Sequence, residues 1–202
     1  MTTITLVRHG ETVWHGENRY AGSTDVALTP RGVDQAAQLA LWAHNADLAE
    51  IWSSDLGRAQ ITAGACAEST GLRTHVDPRL RELDFGEGEG LTAAEMELAF
   101  PEARRAFVAD PAGHPLPGGE DPAAAVERFM ATLNAIAGRK PEGRVLVVAH
   151  TTAIRLTLCA LLGMPLGDYR SKFPSLRNCA LTTIRLRNGE GSLLEYNVPV
   201  DC

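Results

Sequence analysis

Short apolar runs alternate along the chain with longer stretches in which apolar residues recur at helical spacing. The run RVLVVA is continuously apolar after its first residue, which is typical of a strand that is covered on both faces. Asn188-Gly189 is a turn signal typical of hairpins, and it separates the last two apolar runs. The predicted strands are residues 3–7, 50–53, 144–149, 180–186 and 192–198.

Capping residues precede most of the stretches with helical spacing. Thr29-Pro30 combines an N-cap with proline at the first helical position, Asp55 is the cap predicted for the next helix, and Thr92 with Glu95 forms a capping box. The predicted helices run from Thr29 to about Asn45, from Asp55 to about Glu68, from Thr92, from Asp121 to about Gly138, and from Thr152 to Leu162.

The alternation of strands and helices predicts an α/β fold, a three-layer α/β/α sandwich with a mostly parallel central sheet. Residues 111–122 are rich in proline and glycine and predict a loop rather than a linker. Neither flank is self-sufficient, so we expect one domain over residues 1–202, with an excursion around 80–120 that covers the pocket.

Composition narrows the classes of function. The chain has 202 residues, 45% of them apolar, and a net charge of −6, which disfavours a disordered chain and a general nucleic-acid binder. No apolar run approaches the roughly 20 residues that cross a bilayer, and the N-terminus is no signal peptide. We therefore expect no membrane partner, a cytoplasmic location, and free thiols rather than a zinc site at Cys66, Cys159, Cys179 and Cys202.

Cationic residues follow three of the predicted strands. His9 comes one residue after the first strand, and His150 follows the RVLVVA strand directly. Arg58 lies at the start of the helix after EIWS, and Arg8 precedes His9. Ligands of parallel sheets bind at the carboxyl ends of the strands, and helix N-termini favour anions. This convergence in an acidic protein predicts a phosphate pocket, in which Gly10 would let a backbone N–H approach the ligand.

Phosphoryl transfer at such a site needs a nucleophile and a proton donor. A neutral imidazole can attack phosphorus if one ring nitrogen is bare and the other donates to a fixed acceptor. The donor should be a carboxyl group whose pKa is raised. The residues alone leave this donor open among Glu11, Glu82, Asp84, Glu87 and Glu89.

Six blocks in order resemble the histidine phosphatase superfamily, the phosphoglycerate-mutase-like proteins. The block LVRHGET carries the Arg-His-Gly signature, and the likeness covers nearly the whole chain. The other blocks are ENRYAGSTDVALTPRG (residues 17–32), SSDLGRA (53–59), RELDFGEGEGLT (81–92), PGGED (117–121) and VVAHTTAIR (147–155).

The resemblance implies a role for each matching residue. His9 matches the nucleophile that becomes phosphohistidine, Glu82 matches the proton donor, and Arg8, Arg58 and His150 match the residues that clamp the phosphoryl group. The resemblance also implies a phosphoglycerate-mutase-like fold, and neither a metal nor an organic cofactor. The residues implied on the substrate side are His15, Ala21, Gly22, Ser23 and Thr151.

Some positions depart from the family pattern or allow a second interpretation. His15 stands where many relatives have an asparagine, and Thr151-Thr152 replaces a glycine pair that is commoner there.

Residues 86–90 (GEGEG) are glycine-rich, but their glutamates would repel phosphate, so we expect a flexible turn at the pocket mouth. Arg104-Arg105 is interpreted as solvated surface after a helix, or alternatively as a contact for a second acidic group of the substrate.

Three functions remain open from the sequence. The first is a cofactor-independent phosphomonoesterase of the family's phosphatase branch, acting on a small phosphorylated metabolite such as a sugar phosphate or phosphoglycerate. The second is a phosphoglycerate mutase of the bisphosphate-dependent type, disfavoured because the segment after Glu82 is short. The third is a non-catalytic module that binds a phosphorylated ligand. The terminal strands could also form an edge that pairs two subunits into a homodimer.

Overall fold

Six strands form one sheet in the computed structural model, which describes residues 1–187 and 189–200. The order across the sheet is β3-β2-β4-β1-β5-β6, with β3, β2, β4 and β1 parallel and the last two antiparallel. Asn188 and Cys202 lie outside the described residues, and Gly189 has the left-handed φ of 81° that hairpin turns use. The strands are β1 (Thr2–Arg8), β2 (Glu50–Ser53), β3 (Thr74–Val76), β4 (Arg144–Ala149), β5 (Leu181–Arg187) and β6 (Glu190–Val198).

Three of the described helices begin where a side-chain cap satisfies one of their first N–H groups. Thr29 accepts from the Gly32 amide, and Asp121 accepts from the Ala123 amide. The capping box of Thr92 is also confirmed. The helices are α1 (Pro30–Asn45), α2 (Gly57–Thr70), α3 (Ala93–Ala99), α4 (Pro101–Ala109), α5 (Pro122–Arg139), α6 (Thr151–Leu161) and α7 (Tyr169–Lys172).

The prediction that Asp55 caps α2 is wrong. The N-cap is Leu56, which makes no side-chain cap bond, and Asp55 instead pairs with Arg81 through two hydrogen bonds of 2.6 and 2.5 Å. Three further elements, β3, α4 and α7, were not predicted from the sequence. β3 has only three residues, and α4 follows α3 with only Phe100 between them, so that a separate hydrophobic period is hard to detect.

The α/β/α sandwich is confirmed by how the central strand β4 divides its side chains. Val145, Val147 and Ala149 pack into a core with α5 and α6 on one face of the sheet. Leu146 and Val148 pack into a second core with α1 and α2 on the other face. Both faces are therefore buried, which explains why this strand is continuously apolar.

The excursion around residues 80–120 is ordered rather than open. Phe85 contacts Tyr20 edge-to-face, with ring centroids 5.0 Å apart, and Phe107 of α4 lies 6.2 Å from the same ring. Residues 86–88 form a 3-10 helix, so the flexible turn expected over 86–90 is wrong for this part. Arg104 and Arg105 lie within α4 and not after a helix.

The described cysteines are buried free thiols: Cys66, Cys159 and Cys179. Burial raises the pKa of the Cys66 and Cys179 thiols to about 12, so they are unreactive at neutral pH. Within residues 1–187 and 189–200, every helix is too short or too polar to span a membrane.

Candidate active site

Two histidines meet at the carboxyl rim of the sheet because their strands are neighbours. β1 and β4 are parallel, and Arg8 is in register with Ala149, so His9 and His150 are the next residues of the two strands. Their ring centroids are 5.1 Å apart. β2 pairs with the other side of β4, which brings the start of α2 to the same rim. The predicted convergence of three strand ends is confirmed.

His9 is held in one tautomer by its own loop. Nδ1 lies 2.7 Å from the carbonyl oxygen of Gly10, so Nδ1–H donates and Nε2 is bare. Burial, and then the charges of Arg58 and Arg8, lower the pKa of His9 well below its ordinary value. The ring is therefore neutral at pH 7, with the electronic form that a nucleophile requires.

The structure explains the glycine at position 10 differently from the sequence-based prediction. Its amide donates to the Thr62 hydroxyl at 3.1 Å and is therefore not free for a ligand. A Cβ at this position would lie 2.3 Å from the Gly32 carbonyl oxygen. The glycine allows the His9 loop to pack against the start of α1.

Arg8 is oriented by a carbonyl acceptor at the pocket wall. Its guanidinium donates to the Leu176 carbonyl oxygen at 2.8 Å, and it also lies against Nε2 of His15. Burial, followed by the charge of Arg8, lowers the pKa of His15 to about 4. His15 is therefore neutral at pH 7, its Nδ1 accepts from the Thr12 amide at 3.0 Å, and it adds no positive charge to the pocket at that pH.

Arg58 is only 1% exposed and is held by the loop after Ala21. It donates to the carbonyl oxygens of Gly22 and Thr24, both at 2.7 Å. The carboxylate of Glu89 fixes that loop, because it accepts from the amides of Ser23 at 2.7 Å and Thr24 at 2.8 Å. Glu89 thus acts on Arg58 through the loop, which the sequence did not indicate.

His150 is fully buried at the same rim. Its Nε2 lies 2.7 Å from the hydroxyl oxygen of Ser54, while Nδ1 has no hydrogen-bond partner among the described residues. Burial, and then the charge of Arg58, lower the pKa of His150 well below its ordinary value. Ser54 lies in the block SSDLGRA, but its contact with His150 depends on the pairing of β2 with β4 and could not be inferred from the sequence.

Glu82 is the acidic residue that lines the pocket beside His9. Its carboxylate accepts from the amides of Thr152 at 2.9 Å and Ala153 at 2.8 Å, at the start of α6. Its own backbone carbonyl accepts from Arg128 of α5 at 2.9 Å. Of the five carboxyl groups left open by the sequence, this one lines the pocket that His9 also lines.

The pocket outside the rim has a volume of about 540 Å³. Ala21 and Thr151 line it together with Arg8, His9 and His15. Gly22 and Ser23 are not among its lining residues. The first accepts from Arg58 and the second donates to Glu89, so both lie behind the wall.

Two further observations concern the alternatives to this site. A cavity of about 620 Å³ lies near Thr2 and Arg187, at the amino end of the parallel strands, and contains none of the clustered histidines. The described part of the chain contains no group of three or more His, Cys, Asp or Glu residues placed to hold a metal ion.

The fold is similar to that of known proteins. The family model described as "Histidine phosphatase superfamily (branch 1)" matches residues 4–199, so the chain belongs to this superfamily. A relative named "Probable phosphoglycerate mutase GpmB", from Cronobacter sakazakii, is 38% identical, and the match covers 91% of this chain and 85% of that protein.

Two solved structures superpose closely. Bacillus stearothermophilus YhfR has a TM-score of 0.92 at 28% identity, and the match covers 100% of both chains. A mycobacterial glucosyl-3-phosphoglycerate phosphatase, solved in complex with VO3, has a TM-score of 0.88 at 29% identity over 97% of this chain and 99% of that one. The relatives thus include proteins named as mutases and proteins named as phosphatases.

Proposed function

We propose that the protein is a cofactor-independent phosphomonoesterase that hydrolyses a small phosphorylated metabolite through a phosphohistidine on His9. The observation that carries this proposal is the neutral His9 ring, with Nδ1 bonded to the Gly10 carbonyl and Nε2 bare. The buried Arg58 and the half-buried Arg8 act on the His9 ring through their charges, and the ring of His150 lies 5.1 Å from it between centroids.

In the first step, Nε2 of His9 attacks phosphorus and the bond between phosphorus and the ester oxygen breaks. In this proposal Arg8 and Arg58 stabilise the charge on the phosphoryl oxygens, and Nδ1 of His150, which is buried without a hydrogen-bond partner among the described residues, donates to one of them. Glu82 in its acid form gives its proton to the leaving oxygen.

In the second step, Glu82 takes a proton from a water molecule, and the resulting hydroxide attacks phosphorus. The bond between phosphorus and Nε2 breaks, which releases inorganic phosphate and restores neutral His9. The Thr151 amide, at the first residue of α6, is proposed as a further donor to the phosphoryl group.

The second candidate is a phosphoglycerate mutase, which returns the phosphoryl group from His9 to the substrate. The names of the GpmB relatives favour it, whereas the structural likeness to a glucosyl-3-phosphoglycerate phosphatase favours hydrolysis. A pure binding module would not need a bare imidazole nitrogen beside a carboxyl group. The cytoplasmic location and the homodimer stay predictions.

The test is phosphate release from a panel of metabolite phosphates in the presence of a chelator, with His9→Ala as the control. Hydrolysis in the native protein that is lost in the variant would support the proposal. Isomerisation of 3-phosphoglycerate that depends on 2,3-bisphosphoglycerate, without net phosphate release, would support the mutase. Release that requires an added metal ion would contradict the cofactor-free mechanism.

A further inference from the structure

The segment that carries Glu82 has no regular secondary structure of its own. Residues 81–85 belong to no helix or strand, and they follow the 3-10 helix of residues 78–80. Leu80 and Leu83 are buried in the core on either side of Glu82. Because backbone groups outside helices and strands need other hydrogen-bond partners, the position of Glu82 depends on what binds this segment.

Glu82 lines two cavities. One is the pocket of about 540 Å³ that it shares with His9, and the other has a volume of about 390 Å³ and is also lined by Asp84, Glu120 and Arg128. Where a cavity adjoins the segment, no packed side chains press against it. Hydrogen bonds must therefore contribute more to its positioning than they do in the core.

Arg128 of α5 donates those hydrogen bonds. Its guanidinium donates to the carbonyl oxygens of Arg79 and Arg81, both at 2.8 Å, and of Glu82 at 2.9 Å. It also donates to the two carboxylate oxygens of Glu120, at 2.7 and 2.8 Å. These bonds use all the N–H groups of the guanidinium, in a planar arrangement that an ammonium group does not offer.

Glu120 binds the other end of the segment. It belongs to the block PGGED, for which the resemblance implied no role. Its amide donates to the Asp84 carbonyl oxygen at 2.9 Å, and its carboxylate accepts from the Asp84 amide at 3.3 Å. The pair of Arg128 and Glu120 is thus bonded to the chain both before and after the side chain of Glu82.

We propose that Arg128 is a positioning residue that holds the carboxyl group of Glu82 at the first turn of α6, with Glu120 keeping Arg128 in place. This inference rests on the proposed function, in which Glu82 is the proton donor. The hydrogen bonds of Arg128 go to residues 79–82 and to Glu120, so its effect on the reaction passes through Glu82. Its loss should slow proton donation and leave phosphoryl binding intact.

The first test needs no turnover. The amides of Thr152 and Ala153 lie in the first turn of α6, where the helix has no carbonyl to accept from them, and the Glu82 carboxylate accepts from both. In Arg128→Ala, hydrogen exchange measured by NMR should be about tenfold faster or more at these two amides. It should be unchanged in the later turns of α6. Glu82→Ala is the positive control for the loss of their acceptor.

The second test varies the leaving group. The ratio kcat/KM includes the steps through phosphoenzyme formation, so it reports proton donation to the leaving oxygen. In Arg128→Ala, kcat/KM should fall about 10- to 100-fold for an alkyl ester such as glycerol 3-phosphate. For p-nitrophenyl phosphate, whose leaving group hardly needs a proton, the fall should be less than about threefold. Arg128→Lys keeps the charge but not the planar donors, so it should restore only part of the loss.

A matched control is Arg139→Ala, at the end of the same helix. The side chain of Arg139 is 57% exposed and pairs with Glu50 of β2 at 3.4 Å, where Lys140 also lies within 3.7 Å. This variant should leave the exchange of both amides and kcat/KM for both esters unchanged. If Arg128→Ala does not fold, as judged by circular dichroism, Arg128→Lys serves for both tests with smaller expected losses.

Three results would overturn the positioning role: unchanged exchange at Thr152 and Ala153, faster exchange throughout α6, or equal losses of kcat/KM for the two esters. The last two would assign Arg128 to the general stability of the fold. The proposed function fails separately, if the native protein hydrolyses no ester of the panel. In that case the exchange of the two amides would still decide whether Arg128 holds Glu82.

Discussion

Arg58 and Arg155 are two buried arginines, and the protein holds them in different ways. The part of the site around His9 and Arg58 is called the inner end, and the part around Arg155 the outer end. Arg58 has two carbonyl acceptors, at 2.7 Å each, from a loop that Glu89 fixes. Arg155 has aromatic contact with Tyr169 but no acceptor among the described residues. The inner end is thus fixed by hydrogen bonds within the protein, whereas the described residues give Arg155 at the outer end no such bond.

This difference predicts two classes of variant. Changes at the inner end should reduce activity on every phosphate ester, because each ester places the same phosphoryl group there. Changes at the outer end should depend on what the rest of the substrate carries. The following variants test the comparison from its largest expected effect to its smallest.

The largest effect belongs to His9→Ala, at the centre of the inner end. Removal of the nucleophile should lower kcat for every ester by about 10⁴-fold or more. Rapid-quench labelling should also show no phosphoenzyme in the variant. Substantial residual turnover with a labelled protein would assign the nucleophile to another residue.

The Glu82→Gln variant separates proton donation from phosphoryl binding within the inner end. Alkyl phosphates have a poor leaving group, so their kcat should fall by about 10²- to 10⁴-fold. p-Nitrophenol leaves without a proton, so turnover of its phosphate should fall much less. Glutamine preserves the size of a side chain that contacts Thr152 and Ala153. Equal losses on both substrates would point to another acid.

The Glu89→Gln variant tests whether the loop of residues 22–24 holds the Arg58 guanidinium in position. Burial opposes ionisation of Glu89, but hydrogen bonds from Thr24 and Ser23 hold its pKa below the usual value. A glutamine would turn one amide nitrogen toward those N–H donors and loosen the loop. We expect kcat/KM to fall about 10- to 100-fold for all esters alike.

The matched control is Glu87→Gln, an exposed glutamate of the same segment without a side-chain hydrogen bond among those described. It should keep native kinetics. A loss that Glu87→Gln reproduces, or a loss for Glu89→Gln confined to one ester, would contradict the argument.

The smallest effect concerns the pH dependence of stability at His15. Burial, and then Arg8, lower its pKa to about 4, whereas the unfolded chain titrates near the ordinary 6.5. Between these values the unfolded state binds more protons, so this group reduces stability as pH falls through that window. In His15→Asn the fall in Tm between pH 7 and pH 5 should be smaller by about 2 to 4 °C. Parallel Tm curves for the two proteins would contradict the assigned pKa.

Local sequence patterns were enough to predict the frame of the molecule. The apolar runs that end in His9 and His150 predicted strands whose ends carry the chemistry, and the caps at Thr29 and Asp121 predicted where helices begin. These predictions succeeded because hydrophobic periodicity and capping involve residues that are close together in the chain. Asp55 failed as a cap because a distant partner, Arg81, binds it instead.

Only the tertiary structure decided which side chains act together. Five carboxyl groups fitted the role of proton donor by residue type, and the packing of residue 82 against the start of α6 distinguishes Glu82. Ser54 and His150 are 96 positions apart in the chain, yet their side chains are in contact. The Nε of Arg155 has no hydrogen-bond partner because no acceptor of the described fold lies close enough to it. The sequence thus determined the elements and their ends, whereas partners far apart in the chain depend on the packing of the sheet.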